Sequence, residues 1–335
     1  MWVGYCEDCL AHDTGARHPE SPDRLRAIRR GLTRQYGVEF ASADPATVGQ
    51  VTAVHDRSYV ESVREFCADG GGQWDADTVA VGATFDAALF SAGYARWAVE
   101  TALDGADGGD TPFSVARPPG HHAVVDEAMG FCFFNNAAVA AQWALDERAV
   151  ERVAVVDWDV HHGNGTQDLF YDREEVFYVS IHESGLYPGA GDLSETGRGA
   201  GAGRTLNLPF PSGSGDPAYR AAFEDCIEPA LSAYDPDLLV VSAGFDAHER
   251  DPISRMQVTT EGYAALADRL AALADAGDAG LAFVLEGGYS LDSLSESVAV
   301  VNETFEGRDP SPEDGAVDDD ARAVIDEARA SLGLA

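Results

Sequence analysis

Short, almost uninterrupted runs of apolar residues recur along the second half of the chain. Four of them are rich in β-branched residues and end in a polar or glycine-containing turn: Arg152 to Asp157, Val176 to His182, Asp237 to Ala243 and Leu281 to Glu286. Strands that are covered on one face alternate apolar and polar positions, whereas strands that are buried on both faces are apolar throughout. The pattern therefore predicts four buried strands of a mainly parallel sheet.

Two longer stretches between these runs carry an apolar residue at every third or fourth position, which is the spacing of a helix that covers a sheet with one face. They are Pro217 to Tyr234 and Thr260 to Ala274. Alternating buried strands and helices predict an α/β fold, a single doubly wound domain with a mainly parallel central sheet and helices on both faces. In such sheets ligands bind beyond the carboxyl ends of the strands, so the turns after the four strands form the candidate site.

The length and composition fit one domain. A chain of 335 residues with 45% hydrophobic and 24% charged residues is globular in composition. From about Gly307 onward the sequence becomes rich in proline and aspartate. We therefore predict a main domain over residues 1–306 and an acidic, peripheral C-terminal tail over residues 307–335.

The charge of the chain is strongly unbalanced. There are 58 acidic residues against 22 basic ones, all of them arginine, and the formal net charge is -36. A polyanion of this size is repelled by nucleic acid and by anionic lipid, and we expect neither as a direct partner. The charge either steers cationic ligands or adapts the protein to a salty cell interior. The second explanation is favoured, because at molar salt the screening length is only about 3 Å.

The sequence also bears on the compartment. No apolar run approaches the roughly 18 residues of a membrane span, and the N-terminus lacks a signal-peptide pattern, so we expect a cytoplasmic protein. The sequence gives no indication of the oligomeric state. Five cysteines without a regular framework indicate free thiols in a reducing interior. Cys6 and Cys9 have the spacing of half a zinc site, but no second pair completes four ligands.

A pattern of possible metal ligands follows the first predicted strand. Asp157, Asp159 and His161 alternate there, and alternate residues of an extended chain point to the same side. Two carboxylates and an imidazole are suitable ligands for Zn²⁺. Asp246 follows another predicted strand and can reach the same edge of the sheet, which leaves a fourth position open for water, as in catalytic sites. Taken alone, the first two aspartates are explained equally well as caps of the following turn.

Two adjacent histidines strengthen the catalytic interpretation. His121 and His122 follow a rigid Pro-Pro-Gly turn and can both face one cavity from an irregular loop. A histidine pair by itself is more often incidental than catalytic. Here the pair occurs together with the metal pattern and with Asn164, whose amide oxygen can orient an imidazole N–H.

Several stretches, in their order along the chain, resemble the successive signature motifs of histone deacetylases. They are HPESPDRL (His18 to Leu25), RPPGHHA (Arg117 to Ala123), GFCFFNN (Gly130 to Asn136), DWDVHHGNGTQ (Asp157 to Gln167), SAGFDAHERDP (Ser242 to Pro252) and LEGGY (Leu285 to Tyr289). The resemblance covers roughly Val3 to Phe305 and is strongest to class II deacetylases and their prokaryotic relatives, including acetylpolyamine amidohydrolases and acetoin-utilisation proteins. It implies an arginase/deacetylase-like fold and hydrolysis of an acetyl amide.

The resemblance also implies a metal centre and a general base. Asp159, His161 and Asp246 would bind the catalytic Zn²⁺, although this oxygen-rich ligand set also accepts Fe²⁺. His122, oriented by Asn164, would be the base that takes a proton from the attacking water and returns it to the leaving amine.

Further roles follow from the same resemblance. His121, held by Asp157, would stay cationic and stabilise developing charge, and Tyr289 would donate its hydroxyl to the carbonyl oxygen. Because an adjacent carboxylate raises the pKa of a histidine and an amide does not, we expect His122 to titrate at lower pH than His121. The remaining implied residues are a substrate channel of Gly130, Phe131 and Tyr187 and the ligands of a structural K⁺, Asp157, Asp159, His161, Ser180 and Ile181.

Two positions bear on the substrate. Some class II-like relatives have histidine in place of Tyr289 and are poor catalysts, so tyrosine predicts deacetylase activity. Polyamine-specific members carry an acidic residue directly after the Asp-Pro that follows the last metal ligand, and here Ile253 follows Asp251 and Pro252. Acetylated lysine side chains of proteins are therefore favoured over acetylpolyamines and other small acetylated amines.

Two other classes of function stay open at the level of sequence. A ureohydrolase shares the fold and uses two manganese ions, but it needs further ligands around Asp159 and Asp246. A non-catalytic reader of acetylated tails would keep the pocket and lack a catalytic group, whereas His122, Tyr289 and the three predicted metal ligands are all present. Hydrolysis of an acetyl amide is the favoured function.

Overall fold

The computed structural model describes residues 1–35, 38–105 and 111–333. Within these ranges the strands are β1 (Trp2–Tyr5), β2 (Glu39–Ala41), β3 (Gly71–Gln73), β4 (Val79–Val81), β5 (Pro112–Val115), β6 (Val153–Asp157), β7 (Val176–Glu183), β8 (Thr205–Phe210), β9 (Leu238–Ala243) and β10 (Gly280–Leu285). Eight of them form one parallel sheet in the order β2-β1-β5-β10-β9-β6-β7-β8, and β3 pairs with β4 in a small antiparallel hairpin.

Helices connect the strands of the large sheet. They are α1 (Asp23–Leu32), α2 (Val48–Val51), α3 (Arg57–Ala68), α4 (Thr84–Asp104), α5 (Asn136–Glu147), α6 (Asn164–Phe170), α7 (Asp216–Ala222), α8 (Glu228–Tyr234), α9 (Thr260–Gly277), α10 (Leu291–Phe305) and α11 (Asp319–Ser331). A π-helical turn joins α7 to α8, and 3₁₀ turns lie at Asp8–Ala11 and Gly199–Gly201. In the described part of the chain, none of these helices is both long and apolar enough to cross a bilayer.

The apolar runs of the sequence lie at the centre of the sheet. The four predicted strands are confirmed as β6, β7, β9 and β10, which are neighbours in the sheet. Ala154 and Val156 of β6 point into one hydrophobic core, and Val153 and Val155 point into another. Because both faces are covered, every residue of β6, β7 and β9 is buried, as the lack of polar alternation indicated.

The helices divide between the two faces of the sheet. Buried residues of α1 and of α7 to α11 lie in the first core, and those of α2, α3, α5 and α6 lie in the second, together with most of α4. The predicted α/β class, with a single doubly wound domain and helices on both faces, is confirmed.

The C-terminal segment packs onto this domain. Ala321, Ile325 and Ala328 of α11 are buried in the first core, next to β8. The expectation of a peripheral segment is therefore wrong for α11, because its apolar face covers the last strand of the sheet. The boundary between residues 306 and 307 stays a prediction, and residues 334–335 of the predicted tail lie outside the described residues.

The cysteines near the N-terminus depart from the expectation of free thiols. Cys6 and Cys9 form a disulfide bond, with Cα atoms 5.4 Å apart, because the 3₁₀ turn that begins at Asp8 folds the chain back on itself. Since both thiols are used in the disulfide, Cys6 and Cys9 do not form part of a metal site. Three other cysteines are free and buried: Cys67, Cys132 and Cys226.

The carboxyl ends of four neighbouring strands meet at one edge of the sheet. In the register of the sheet Asp157 at the end of β6 lies opposite Ser242 of β9, and Leu285 at the end of β10 lies opposite Ala243. The strand β5, which the sequence pattern missed, pairs with β10 on the other side. The loops after β5, β6, β9 and β10 therefore begin side by side, and they carry most of the predicted site residues, while Ser180 and Ile181 lie in β7 and Tyr187 in the loop after it.

Candidate active site

Asp159, His161 and Asp246 meet beyond the ends of β6 and β9. One ligand-type atom of each lies within 4.8 Å of the others. Nδ1 of His161 is 2.9 Å from Oδ1 of Asp159 and 3.2 Å from Oδ2 of Asp246. Both carboxylates are fully buried and the imidazole is 12% exposed. The structure thus brings together the three residues that the sequence predicted as metal ligands.

This cluster fits a divalent cation. Oδ2 of Asp246 is buried and makes no well-directed hydrogen bond with the described residues, although Nδ1 of His161 lies 3.2 Å away, and such a carboxylate oxygen is costly unless a cation binds it. Burial would lower the pKa of His161, but the hydrogen bond to Asp159 and the negative charges of Asp246 and Asp159 outweigh it and raise that pKa to about 10. Positive charge is therefore strongly favoured at this point. Two carboxylates and one imidazole match the ligand chemistry of Zn²⁺.

Two glycines leave room for the carboxylates of the cluster. A Cβ atom at Gly244 would collide with the side chain of Asp159, and one at Gly287 would collide with the carboxylates of Asp246 and Asp159. The backbone N–H of Gly287 donates to Oδ2 of Asp159 at 2.7 Å. A side chain at either glycine would displace the predicted ligands.

His121 and His122 lie beside the cluster with different partners. Nδ1 of His121 donates to Oδ2 of Asp157 at 3.0 Å, and Nδ1 of His122 donates to Oδ1 of Asn164 at 2.8 Å. Burial would lower the pKa of His121, but Asp157 and Asp159 outweigh it and raise that pKa to about 10. Burial, together with the positive charge of His121, lowers the pKa of His122 well below its usual range. The two pKa values differ in the direction expected from the sequence.

Asp157 connects the histidine pair to the neighbouring strand. Its Oδ2 accepts a hydrogen bond from the Tyr178 hydroxyl at 3.1 Å, and its Oδ1 accepts one from the backbone N–H of Asp159 at 3.1 Å. Ser180 lies opposite Asp157 in the β6–β7 register, and Ile181 follows it in the buried strand. The residues predicted for a structural K⁺ therefore lie together, while their role as cation ligands stays a prediction.

Aromatic rings surround the approach to the cluster. The ring of Phe131 is 6.0 Å from that of Tyr289, and the ring of Tyr187 is 5.1 Å from that of His122. Gly130 lies so close that a Cβ atom there would collide with His122. Tyr187 is 38% exposed, so it lies at the mouth of this passage. Burial raises the pKa of Tyr289 well above its usual range, so its hydroxyl keeps its proton and can donate.

The sequence matches the histone deacetylase domain model over residues 18–305. The chain belongs to the histone deacetylase family. This match includes every residue of the metal cluster, of the histidine pair and of the aromatic passage. The predicted family is therefore confirmed, and its members are deacetylases and amidohydrolases.

Named relatives and a solved structure agree with this assignment. The chain is 41% identical over 323 residues to "Histone deacetylase 10, chloroplastic" of Oryza sativa subsp. japonica, and the alignment covers 90% of this chain and 73% of that protein. It is 40% identical over 282 residues to "Histone deacetylase-like amidohydrolase" of Pseudomonas aeruginosa, and this alignment covers 82% of this chain and 73% of that protein. The crystal structure of the HDA15 HD domain superposes with a TM-score of 0.90 at 35% identity, covering 98% of this chain and 93% of that one. The arginase/deacetylase-like fold is thereby confirmed.

Two buried carboxylates of the deacetylase site were not predicted as site residues. Glu286 accepts hydrogen bonds from the backbone N–H groups of Gly120 and His121 at 2.7 and 3.2 Å. Asp251 accepts one from the backbone N–H of Tyr289 at 2.7 Å. Both lie in motifs that carried the family resemblance. Their roles were missed because their partners are 166 and 38 residues away in sequence, where no local spacing reports on them.

The N-terminal motif of the family also reaches the site. Glu20 is buried between the guanidinium groups of Arg24 and Arg117, and Nε of Arg117 donates to it at 2.7 Å. Nε of Arg24 donates to the backbone oxygen of Gly288 at 2.7 Å, and its guanidinium lies 5.0 Å from the ring centre of Tyr289. A buried ion cluster therefore supports the loop that carries Tyr289.

Proposed function

We propose that this chain is a zinc-dependent amidohydrolase that removes the acetyl group from Nε-acetyl-lysine in proteins and releases acetate. The observation that carries the proposal is the position of a low-pKa histidine beside the metal cluster. The ring centre of His122 is 5.8 Å from that of His161, and burial and neighbouring positive charge lower the pKa of His122. A base that is free of its proton at neutral pH thus lies next to the residues that would hold the metal.

Zn²⁺ held by Asp159, His161 and Asp246 would supply a Lewis acid that polarises water and the acetyl carbonyl. His122 donates through Nδ1 to Asn164, which leaves the lone pair of Nε2 free to accept a proton. The proton of the attacking water goes to this Nε2 as the new C–O bond forms. The C–N bond then breaks while His122 returns the proton to the amine nitrogen, which gives acetate and a free amine.

Two further side chains stabilise the charge that develops on the carbonyl oxygen. His121 is cationic at neutral pH, because Asp157 keeps its pKa near 10 in spite of burial. Tyr289 is a neutral hydroxyl donor, because burial raises its pKa. Donors held in place before the reaction are the usual means of stabilising an oxyanion.

We also propose that K⁺ binds beneath the catalytic cluster. The support for this second ion is the register that places Ser180 beside Asp157, in a fully buried part of the sheet. An oxygen-rich, buried site of this kind suits a cation without a catalytic role.

The choice of acetyl-lysine rests on the residue that follows Asp251 and Pro252. This residue is the apolar, half-buried Ile253, where an acidic side chain would pair with a distant ammonium group. The alternative substrate, an acetylpolyamine, is favoured by negative charge at the mouth. Asp77 lies near this entrance, because it lines a surface cavity together with Phe131 of the aromatic passage.

A comparison of substrates tests the proposal. We expect kcat/KM for an acetyl-lysine peptide to exceed that for N-acetylputrescine by about 10-fold or more, which corresponds to a difference of about 1.4 kcal/mol in transition-state binding, in buffer with high KCl. Hydrolysis of both should stop with a chelator. A preference for N-acetylputrescine would identify the polyamine alternative, and hydrolysis of neither substrate would contradict the proposed function.

A further inference from the structure

The turn that carries Tyr289 is held almost entirely through its backbone. Gly287 donates to Asp159, and Gly288 accepts from Arg24. The next two N–H groups, those of Tyr289 and Ser290, both donate to the same carboxylate oxygen, Oδ2 of Asp251, at 2.7 and 2.9 Å. Gly288 has a φ of +116°, a conformation that glycine adopts far more readily than other residues, so the turn has little stiffness of its own. Its position therefore depends on these partners.

Asp251 is itself fixed in place. Its side chain is buried, with 6% of the residue exposed. Oδ1 accepts a hydrogen bond from the backbone N–H of Ile253 at 3.1 Å, and its own N–H donates to the backbone oxygen of His248 at 2.8 Å. The same loop begins with the predicted metal ligand Asp246, whose backbone oxygen accepts a hydrogen bond from Ser254 at 2.6 Å. Asp251 thus connects the loop of a metal ligand to the turn of the oxyanion donor.

We propose that Asp251 is a positioning residue for Tyr289, whose carboxylate fixes the distance between the phenol and the metal cluster. Two charge-assisted hydrogen bonds to consecutive N–H groups determine both the place and the direction of the turn. Asp251 contacts no reacting atom and acts only through Tyr289. The inference rests on the proposed function, since it assumes that the Tyr289 hydroxyl stabilises the reaction.

The charge state of Asp251 agrees with this role at working pH. Burial and the charge of Asp246 raise the pKa of Asp251 to about 6, against the N–H groups of Tyr289, Ser290 and Ile253, which lower it. At pH 8 the side chain is a carboxylate and accepts all three hydrogen bonds. Kinetics at pH 8 therefore report on the ionised form.

A double-mutant cycle tests whether Asp251 acts through Tyr289. The enzymes are the full-length wild type, D251A, Y289F and D251A/Y289F, each loaded with metal and assayed on an acetyl-lysine peptide. Y289F is expected to lose about 100-fold to 1000-fold in kcat, as when one oxyanion donor is removed. D251A is expected to lose up to about 100-fold in kcat, the effect of a displacement of about 1 Å, with KM changed by less than about 3-fold. The double variant should be no slower than Y289F.

The outcomes separate the two levels of the proposal. If D251A lowers kcat by the same factor in the Y289F background as in the wild type, Asp251 acts independently of the tyrosine and the inference is overturned while the proposed function stands. If Y289F keeps the kcat of the wild type, the proposed role of Tyr289 is wrong and the positioning role of Asp251 fails with it.

Two further variants exclude a general loss of structure. D251N keeps an oxygen that accepts from Tyr289 and Ser290, so it should regain most of the kcat that D251A loses; a D251N enzyme as slow as D251A overturns the inference. The matched control is D216A, because Asp216 is also buried and accepts backbone N–H groups, from Thr259 and Glu313, away from the tyrosine turn. D216A should lower the thermal midpoint without a selective loss of kcat, and any change in its kcat should multiply with that of Y289F. A kcat loss in D216A that Y289F masks, as predicted for D251A, would overturn the inference.

Discussion

The two histidines beside the metal cluster differ in charge because their surroundings differ. His121 donates to the carboxylate of Asp157 and is a cation, whereas His122 donates to the amide of Asn164 and is neutral. The two rings are 4.0 Å apart, so the charge of the first also disfavours protonation of the second. In the proposed mechanism one ring therefore stabilises negative charge while the other accepts a proton.

Replacing Asn164 with Asp should raise the pKa of His122. A carboxylate next to His122 raises its pKa by about 1 pH unit or more, because it favours the imidazolium. The base must be neutral to act, so the acidic limb of the pH profile of kcat/KM should move to higher pH. N164A is the matched control, since it removes the hydrogen bond without adding charge and should not move the limb upward. An N164D limb that coincides with that of the wild type would show that His122 is not the titrating base.

At the scale of strands and loops, the site depends on adjacent strand ends and on the loops that support them. One supporting contact is His55, which lies between α2 and α3 and is 2% exposed. Its Nδ1 donates to the backbone oxygen of Val124 at 2.8 Å, and its Nε2 accepts from the N–H of Asn135 at 2.9 Å. Only the neutral ring can make both hydrogen bonds, and burial lowers the pKa of His55 to about 4.

The stability of the protein should therefore fall between pH 6.5 and pH 4. In this window the unfolded chain binds a proton at His55, whose ordinary pKa is 6.5, and the folded chain does not. The free energy of unfolding therefore falls as the pH falls, and His55 accounts for about 3 kcal/mol of this loss. Glutamine offers a donor and an acceptor without titrating, so H55Q should lose less of its free energy of unfolding across the window. Urea unfolding at several pH values measures the difference. Parallel curves for wild type and H55Q would contradict this assignment.

The sequence was sufficient for the centre of the sheet and not for its edges. The strands β6, β7, β9 and β10 have five to eight residues that are almost all buried, and their nearly continuous apolar runs identified them. The strands β1, β2 and β5 have only three or four residues, too few for a periodic pattern to show. Their places in the sheet depend on partners that are far away in the chain.

The residues of the site also divide into those that the sequence could predict and those that it could not. Asp159 and His161 were predictable because they follow a strongly apolar strand at a spacing of two residues, although in the structure the strand ends at Asp157 and the chain bends at residues 159–161. The contacts of Glu286 and Asp251 were not, since each holds a backbone segment of another loop. The disulfide of Cys6 and Cys9 depends on a 3₁₀ turn that the composition of the chain does not indicate.

At the scale of the whole molecule the dominant property is charge. A formal net charge of -36 on 335 residues gives strong self-repulsion in the folded state. Several arginines are paired with carboxylates on the surface, but such pairs contribute little individually. We propose that the fold relies on dissolved cations to reduce this repulsion.

Raising KCl from about 0.2 M to about 3 M should therefore raise the thermal midpoint, because the screening length falls to about 3 Å or less. Choline chloride at equal ionic strength should raise it less, since only K⁺ fits the proposed buried site. S180A, which removes one proposed ligand beside Asp157, should abolish the difference between the two salts. Equal midpoints in both salts for the wild type would contradict the K⁺ site, and midpoints insensitive to either salt would contradict salt adaptation.

The central claim is that Asp159, His161 and Asp246 hold one metal ion without which the amide is not hydrolysed. The most direct measurement is a titration of the chelator-treated protein with Zn²⁺, in which bound metal and hydrolysis of an acetyl-lysine peptide are followed together. We predict that hydrolysis is absent at the start, rises in proportion to bound metal and is complete at one ion per chain. Hydrolysis by the metal-free protein, or a requirement for two ions per chain, would contradict the account.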